Sequence, residues 1–230
     1  MNFKFNKEQT DDKREVGVLD KSGIYTVSIR NAYIKRMQSG AEAVHFDVFG
    51  AKGGTGFDVW VTKKNGEQAF GCGHIQSLMG ILGIKELKSG KGTASLYDVN
   101  CGEFVDTEVE AFPDLIDKIV VVALRRKFYI KQTGDEGYRF ELLCFLGADY
   151  RRYSEIESGE EAQYYKTLKF NDLIDLGNGN VVDYLSYKND MKKNAPSYKS
   201  FDDPKDFESP LMRQGNEDIA EQNIDESLPF

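Results

Sequence analysis

The run Ile119–Lys131, IVVVALRRKFYIK, constrains the chain more than any other stretch. It is dense in β-branched and aromatic residues and is the strongest β run in the sequence. Gln132 to Gly137 reads as a turn, and Tyr138 to Leu146 returns as the hairpin partner. Three earlier runs alternate with a period of two. Tyr25, Val27 and Ile29 alternate with Thr26, Ser28 and Arg30; Val44, Phe46 and Val48 with His45, Asp47 and Phe49; Phe57, Val59 and Val61 with Asp58, Trp60 and Thr62. That period places one set of side chains in a core and the other set outside. Beyond Asn31 the apolar phase shifts to Ala32 and Ile34, which predicts a bulge that bends the first strand. Ser39-Gly40 and the glycines 53, 54 and 56 break the chain between strands, and Asn65-Gly66 has the chemistry of a type I′ turn.

Between the third strand and the long hairpin the period changes. Ile75, Leu78, Met79 and Leu82 stand at i, i+3, i+4 and i+7, one face of a short helix ending near Gly83. Lys88 to Gly92 is a loop, and residues 93–117 show no clear pattern apart from a helical turn at Leu115–Asp117 after Pro113. Past Leu146, a helix over Asn171–Leu176 and a turn at Gly177–Asn180 are expected, and from Pro196 onward Pro, Ser, Asp and Lys mark a linker. The chain thus divides into an N-terminal arm (1–22), a domain (23–195), and a linker with an acidic tail (196–230). Three strands, a short helix and a long hairpin is the element order of an OB-fold, a five-stranded Greek-key barrel. The expected class is mainly β, an OB-fold-like barrel with peripheral helices and loops; other small antiparallel barrels share much of this order.

The net charge of -8 is unevenly placed. Residues 202–230 hold nine acids and two bases, so the rest, with 29 acids and 28 bases, is close to neutral. A near-neutral body can carry a basic groove, because local potential governs polyanion binding. Cys72, Cys101 and Cys144 are odd in number and widely spaced, which suits reduced thiols in a cytoplasm. No apolar run approaches the roughly 20 residues that span a bilayer, and the N-terminus lacks the apolar core of a secretory signal, so no membrane partner is expected.

Gly215–Phe230, GNEDIAEQNIDESLPF, carries five carboxylates and no Lys or Arg. Its composition predicts disorder, and a terminal Phe beside a free carboxylate suits capture by a small basic pocket on a partner. Asp225, Glu226, Leu228, Pro229 and Phe230, with Ser227 interrupting the acidic run, resemble the C-terminal tips of bacterial and bacteriophage single-stranded DNA-binding proteins. Gly23-Ile24-Tyr25-Thr26-Val27, Ser39-Gly40, Ile81-Leu82-Gly83-Ile84, and Leu115–Lys118 leading into Ile119-Val120-Val121 are similar to a group of small phage proteins of that class. This second likeness spans roughly residues 20–146. The resemblance implies a protein of DNA replication, recombination and repair in the host cytoplasm. It also implies that the tail docks on a polymerase, helicase-primase or recombinase and competes with DNA for the binding groove.

A sequence-tolerant binder of single strands needs aromatic faces for bases and cations for phosphates. With Phe128 and Ile130 inward, Arg125, Lys127, Tyr129 and Lys131 face outward; with Tyr138, Phe140 and Leu142 inward, Arg139 joins them. Trp60, His45 and Phe49 fall on the outward phase of strands two and three, either as a stacking platform or as a face covered by the residues after Leu146. Tyr33, Lys35 and Arg36 extend the basic rim, and Arg151, Arg152, Lys192 and Lys193 are lesser candidates. No metal, cofactor or catalysis is expected. Cys72, His74 and Cys101 lack paired zinc spacing, Lys52–Gly56 lacks the P-loop pattern, and there is neither a nucleophile elbow nor HExxH. Two other classes fit less well: a scaffold that displays the tail without touching DNA, and a metal-dependent nuclease. A homodimer through sheet edges is compatible with the sequence.

Overall fold

The computed structural model describes residues 17–98, 101–177 and 179–194, and the protein is mainly β. In chain order the strands are β1 (Gly23–Arg36), β2 (Glu42–Gly50), β3 (Gly53–Thr62), β4 (Gly90–Asp98), β5 (Glu103–Ala111), β6 (Ile119–Ile130), β7 (Glu136–Leu146), β8 (Leu173–Asp175) and β9 (Val181–Asp183). Helix α1 (Gly71–Leu82) lies between β3 and β4, α2 (Tyr153–Ser158) follows β7, and α3 (Tyr184–Asn194) follows β9. All nine strands belong to one mixed sheet, in the order β4-β5-β1-β2-β3-β7-β6-β8-β9, with a further pairing between β1 and β6.

That further pairing closes a ring. The first half of β1, Gly23–Ser28, pairs with β6, and Val27–Arg36 pairs with β2. The β3–β7 link, Phe57 opposite Phe140, is the parallel step between the two halves. One strand can serve two neighbours only if it bends. The register slips between Ile29 and Asn31, so Arg30 is the extra residue of a bulge at the position where the apolar phase shifts. Backbone bonds from Ile29 N–H to Lys118 and from Asp117 N–H to Ile29 pin the bend.

The inward set of the alternating strands fills the ring. Ile29, Phe46, Val122 and Leu124 are fully buried, and Phe46 lies 5.4 Å from Phe57 and 5.5 Å from Phe145 between ring centroids. α1 adds its apolar face, with Leu78 fully buried and Ile75, Ile81 and Leu82 packed beside it. Gly83 ends the helix in the left-handed region (φ 68°), where Gly carries no Cβ penalty. Gly80 lets α2 approach: a Cβ there would stand 2.3 Å from the Tyr153 ring.

Several elements depart from the sequence reading. Residues 93–98 and 103–111 belong to the paired strands β4 and β5; most of β5 is exposed on both faces, which removes the alternation that betrays a strand. The helix expected over Asn171–Leu176 is instead β8, whose Ile174 is fully buried where it pairs in parallel with Phe128 of β6. Pairing with the distant β6 decides the conformation of this short segment. Among the described residues the sheet therefore has nine strands where five were expected.

The described part of the predicted arm 1–22 lies on the sheet. Leu19 is buried and donates its N–H to Gly54, and Gly54 donates to Gly17. Gly53 (φ 127°) makes this approach possible, since a Cβ would sit 2.0 Å from the Gly17 carbonyl oxygen. After β7, buried Glu155 of α2 accepts backbone N–H bonds from Arg152, Gln163 and Tyr164. Burial pushes its carboxyl upward, but those three donors prevail and hold it below the usual range. The compact unit that carries the sheet ends at Lys193. The predicted tail contacts Asp225, Glu226, Leu228, Pro229 and Phe230 lie outside the described residues. Among the described residues no helix is long and apolar enough to cross a membrane.

Candidate nucleic-acid interface

The outward residues of β1, β2 and β3 line up in rows. Tyr33, His45 and Asp58 are successive cross-strand neighbours, as are Lys35, Ala43 and Trp60. Across the parallel β3–β7 step the same outer surface continues into β7 and β6, where Arg125 opposes Glu141 and Lys127 opposes Arg139. His45, Asp58, Trp60, Lys127, Arg139 and Glu141 together line a cleft of about 260 Å³. Two groups that sequence reasoning kept apart, Trp60 with His45 and Lys127 with Arg139, thus meet at one place.

Trp60 is 43% exposed. The residues after Leu146 do form a second layer, but they cover a different stretch. Tyr164, Tyr165, Leu168 and Phe170 pack on Val121, Ala123, Cys144 and Leu146 of the β6–β7 hairpin. Phe49, also on the outward phase, lies beneath the Arg30 guanidinium at 5.0 Å.

Other candidates are placed differently from expectation. Tyr33 is 6% exposed, because Ala94 and Ala111 of the β4–β5 hairpin pack against it, so its ring offers no stacking face. Burial, then Asp47 and Asp58, push its hydroxyl up to about 12. Arg36 is held between Glu42 (2.9 Å) and Glu110 (2.6 Å) and fastens that hairpin to β1. Tyr129 and Lys131 are exposed and lie toward the far end of the β6–β7 hairpin. Ile130 and Tyr138, expected inward, are 43% and 41% exposed, because the hairpin outruns the ring at its turn. Tyr138 packs beside Phe128 and Phe140, and Arg126, which bonds Asp172, lies over both Phe128 and Tyr138. Arg151 pairs with Asp149, and Arg152 caps α2 and lies 4.5 Å over Tyr164.

The surface is mixed in charge, not uniformly basic. Lys35 pairs with Asp58 at 3.0 Å, Arg125 with Glu141 at 2.7 Å, and Lys127 with Asp175 of β8 at 3.1 Å. Arg139 stands 3.9 Å from Asp175 and keeps 62% of its side chain exposed, which leaves it the most available cation of the cleft. The carboxylates come from cross-strand partners and from β8, whose pairing no local pattern announced. The basic-aromatic patch expected from Arg125, Lys127, Tyr129, Lys131 and Arg139 therefore carries a carboxylate beside Arg125, Lys127 and Arg139.

His45 is the centre of this network. Its Nδ1 lies 2.6 Å from Asp58 Oδ1 and its Nε2 lies 3.1 Å from Asp47 Oδ1. Both ring nitrogens face acceptors, which only the imidazolium satisfies by donating twice. Burial opposes that charge, but the two carboxylates outweigh it and raise His45 to about 9. Sequence reasoning gave His45 only a place on the outward face; the signal for more was its position opposite Asp58 in strands of fixed register.

Among the described residues no group of three or more His, Cys, Asp or Glu side chains is placed to hold a metal ion. No protein-family model matches the chain, and no curated protein matches it.

Proposed function

We propose that this chain is a phage-type single-stranded DNA-binding protein built on an OB-fold-like barrel and acting in DNA replication and recombination. The ring β1-β2-β3-β7-β6 supports that fold, with its one parallel step and the helix between its third and fourth strands in chain order. The observation that carries the function is Trp60, exposed in a cleft with Lys127 and Arg139 on the outer face of the ring. OB-folds bind oligonucleotides on the face of strands two and three, and an indole there stacks a base without reading its identity. The phosphates run past Arg139 and Lys131, which are exposed, while Arg125 and Lys127 hold the cleft wall through their carboxylate partners. Tyr129 supplies a further ring toward the hairpin end. The acidic tail presents Asp225, Glu226, Leu228, Pro229 and Phe230 to a polymerase, helicase-primase or recombinase, and competes with DNA for the cleft. The protein needs no cofactor and catalyses no reaction. It works in the host cytoplasm, and the outer strands β4 and β9 offer edges for a homodimer.

Binding of a labelled mixed-sequence single strand, followed by fluorescence anisotropy, tests this reading. Trp60→Ala is expected to weaken affinity by about 1–3 kcal/mol, the worth of one stacked base, with the thermal melt unchanged. Arg139→Ala is expected to lower the slope of log affinity against log salt by about 0.7. The carboxylate beside almost every cation favours one other reading, a scaffold that displays the tail and never holds DNA. Absence of saturable binding at low salt selects the scaffold.

A further inference from the structure

We infer that the cleft beside Trp60 is a pocket for a single nucleobase and prefers bases with an exocyclic amine, guanine above the others. This deepens the DNA-binding reading and rests on it.

Size and charge point to a base and not to the backbone. The cleft holds about 260 Å³, below the 300–1,000 Å³ usual for whole small-molecule ligands. Asp58 and Glu141 both line it, so a phosphate seated there meets two carboxylates. A neutral ring does not. Trp60 offers that ring a stacking face.

The polar groups then sort the bases. Asp58 has both oxygens engaged, Oδ1 with His45 and Oδ2 with Lys35. Glu141 is only half used. Arg125 directs both its Nε (3.2 Å) and its Nη2 (2.7 Å) to the same oxygen, Oε2, and Oε1 has no partner among the described residues. Arg139 contributes exposed N–H donors. The cleft therefore sets a carboxylate acceptor and a guanidinium donor beside an indole.

Guanine matches this set best. Its N1–H and N2–H are adjacent donors for the free Oε1 of Glu141, which has two lone pairs, and its O6 and N7 accept from Arg139. Cytosine and adenine bring one amine each to the carboxylate. Thymine has a single ring N–H flanked by two carbonyls, which turn acceptors toward an acceptor.

The test uses the full chain and short oligo(dT) strands with one central nucleotide changed to dG, dA, dC or deoxyinosine, read by anisotropy. The dG strand is expected to bind about tenfold more tightly than all-dT, with dA and dC between them. Deoxyinosine, which lacks the N2 amine, is expected to lose most of the dG advantage. Glu141→Gln removes both a negative charge and the carboxylate that favours dG, so it tightens binding to the all-dT strand and collapses the dG-to-dT ratio toward one. A purely electrostatic role for Glu141 shifts all affinities together and leaves the ratio alone, which overturns the pocket. Equal affinity of the unsubstituted protein for all five strands also overturns it while leaving the DNA-binding reading intact. Failure to bind any strand overturns both. The deoxyinosine comparison needs no variant, so it stands even if Glu141→Gln does not fold.

Discussion

Replacing Phe46 by Ala is expected to cost about 3–5 kcal/mol of folding stability, the usual penalty for removing a buried aromatic ring. Phe46 is fully buried, stacks on Phe57 at 5.4 Å and meets Phe145 at 5.5 Å. Those three rings come from β2, β3 and β7, the strands on either side of the parallel step. The step itself is short, a single ladder pair of Phe57 with Phe140. Few backbone bonds hold the ring closed there, so side-chain packing must do so, and a cavity at Phe46 cannot collapse without opening the sheet. The measurement is urea denaturation, with a lowered midpoint and an unchanged m-value. Ile130→Ala, on the exposed hairpin end, is the control, with an effect within about 0.5 kcal/mol. A Phe46→Ala loss below about 1 kcal/mol contradicts closure by packing.

The second large effect is pH dependence. His45 is raised from 6.5 to about 9. A group whose folded value is raised contributes stability that is whole below its unfolded value and disappears as pH climbs through the folded one. Stability is therefore expected to fall between pH 6.5 and about 9, by on the order of 3 kcal/mol for a shift of that size. His45 keeps 19% of its side chain exposed and Asp58 24%, so solvent screens that pair little, whereas Asp47 is 47% exposed and its share is the more screened. Asp58 stays charged and Tyr33 stays neutral through this window. Asp58 lies below its usual range, since the His45 and Lys35 hydrogen bonds overcome the upward push of burial, and Tyr33 is raised to about 12. His45→Gln is expected to flatten the profile, and the imidazole resonances should titrate with a midpoint near 9. A stability that is level from pH 6.5 to 9 contradicts the doubly bonded imidazolium.

The legible and illegible parts of this fold divide by the range of the interactions. Val44, Phe46 and Val48, or Phe57 and Val59, declare a half-buried strand because one face packs on the core and the other meets solvent. The bulge at Arg30 was legible for the same reason, as a phase shift in that pattern. The β4–β5 hairpin was not, since the Glu103–Glu108 stretch of β5 is exposed throughout and carries no alternation. β8 was not legible because three residues, Leu173–Asp175, become a strand only by pairing with β6. In the cleft, alternation correctly put Trp60, Lys127 and Arg139 on the outside. It could not reveal that Asp175 reaches Lys127, or that Ala94 and Ala111 bury Tyr33. Cations stand out in a sequence, whereas their counter-charges become visible only with register and long-range pairing.

Trp60 is the one tryptophan of the chain, so its emission reports on the cleft alone. Titrating the intact protein with a mixed-sequence single-stranded oligonucleotide at low salt is expected to quench that emission saturably, with the midpoint moving to higher concentration as salt is raised. Emission that stays flat across the titration, from protein with an unchanged thermal melt, contradicts the assignment of this cleft to single-stranded DNA.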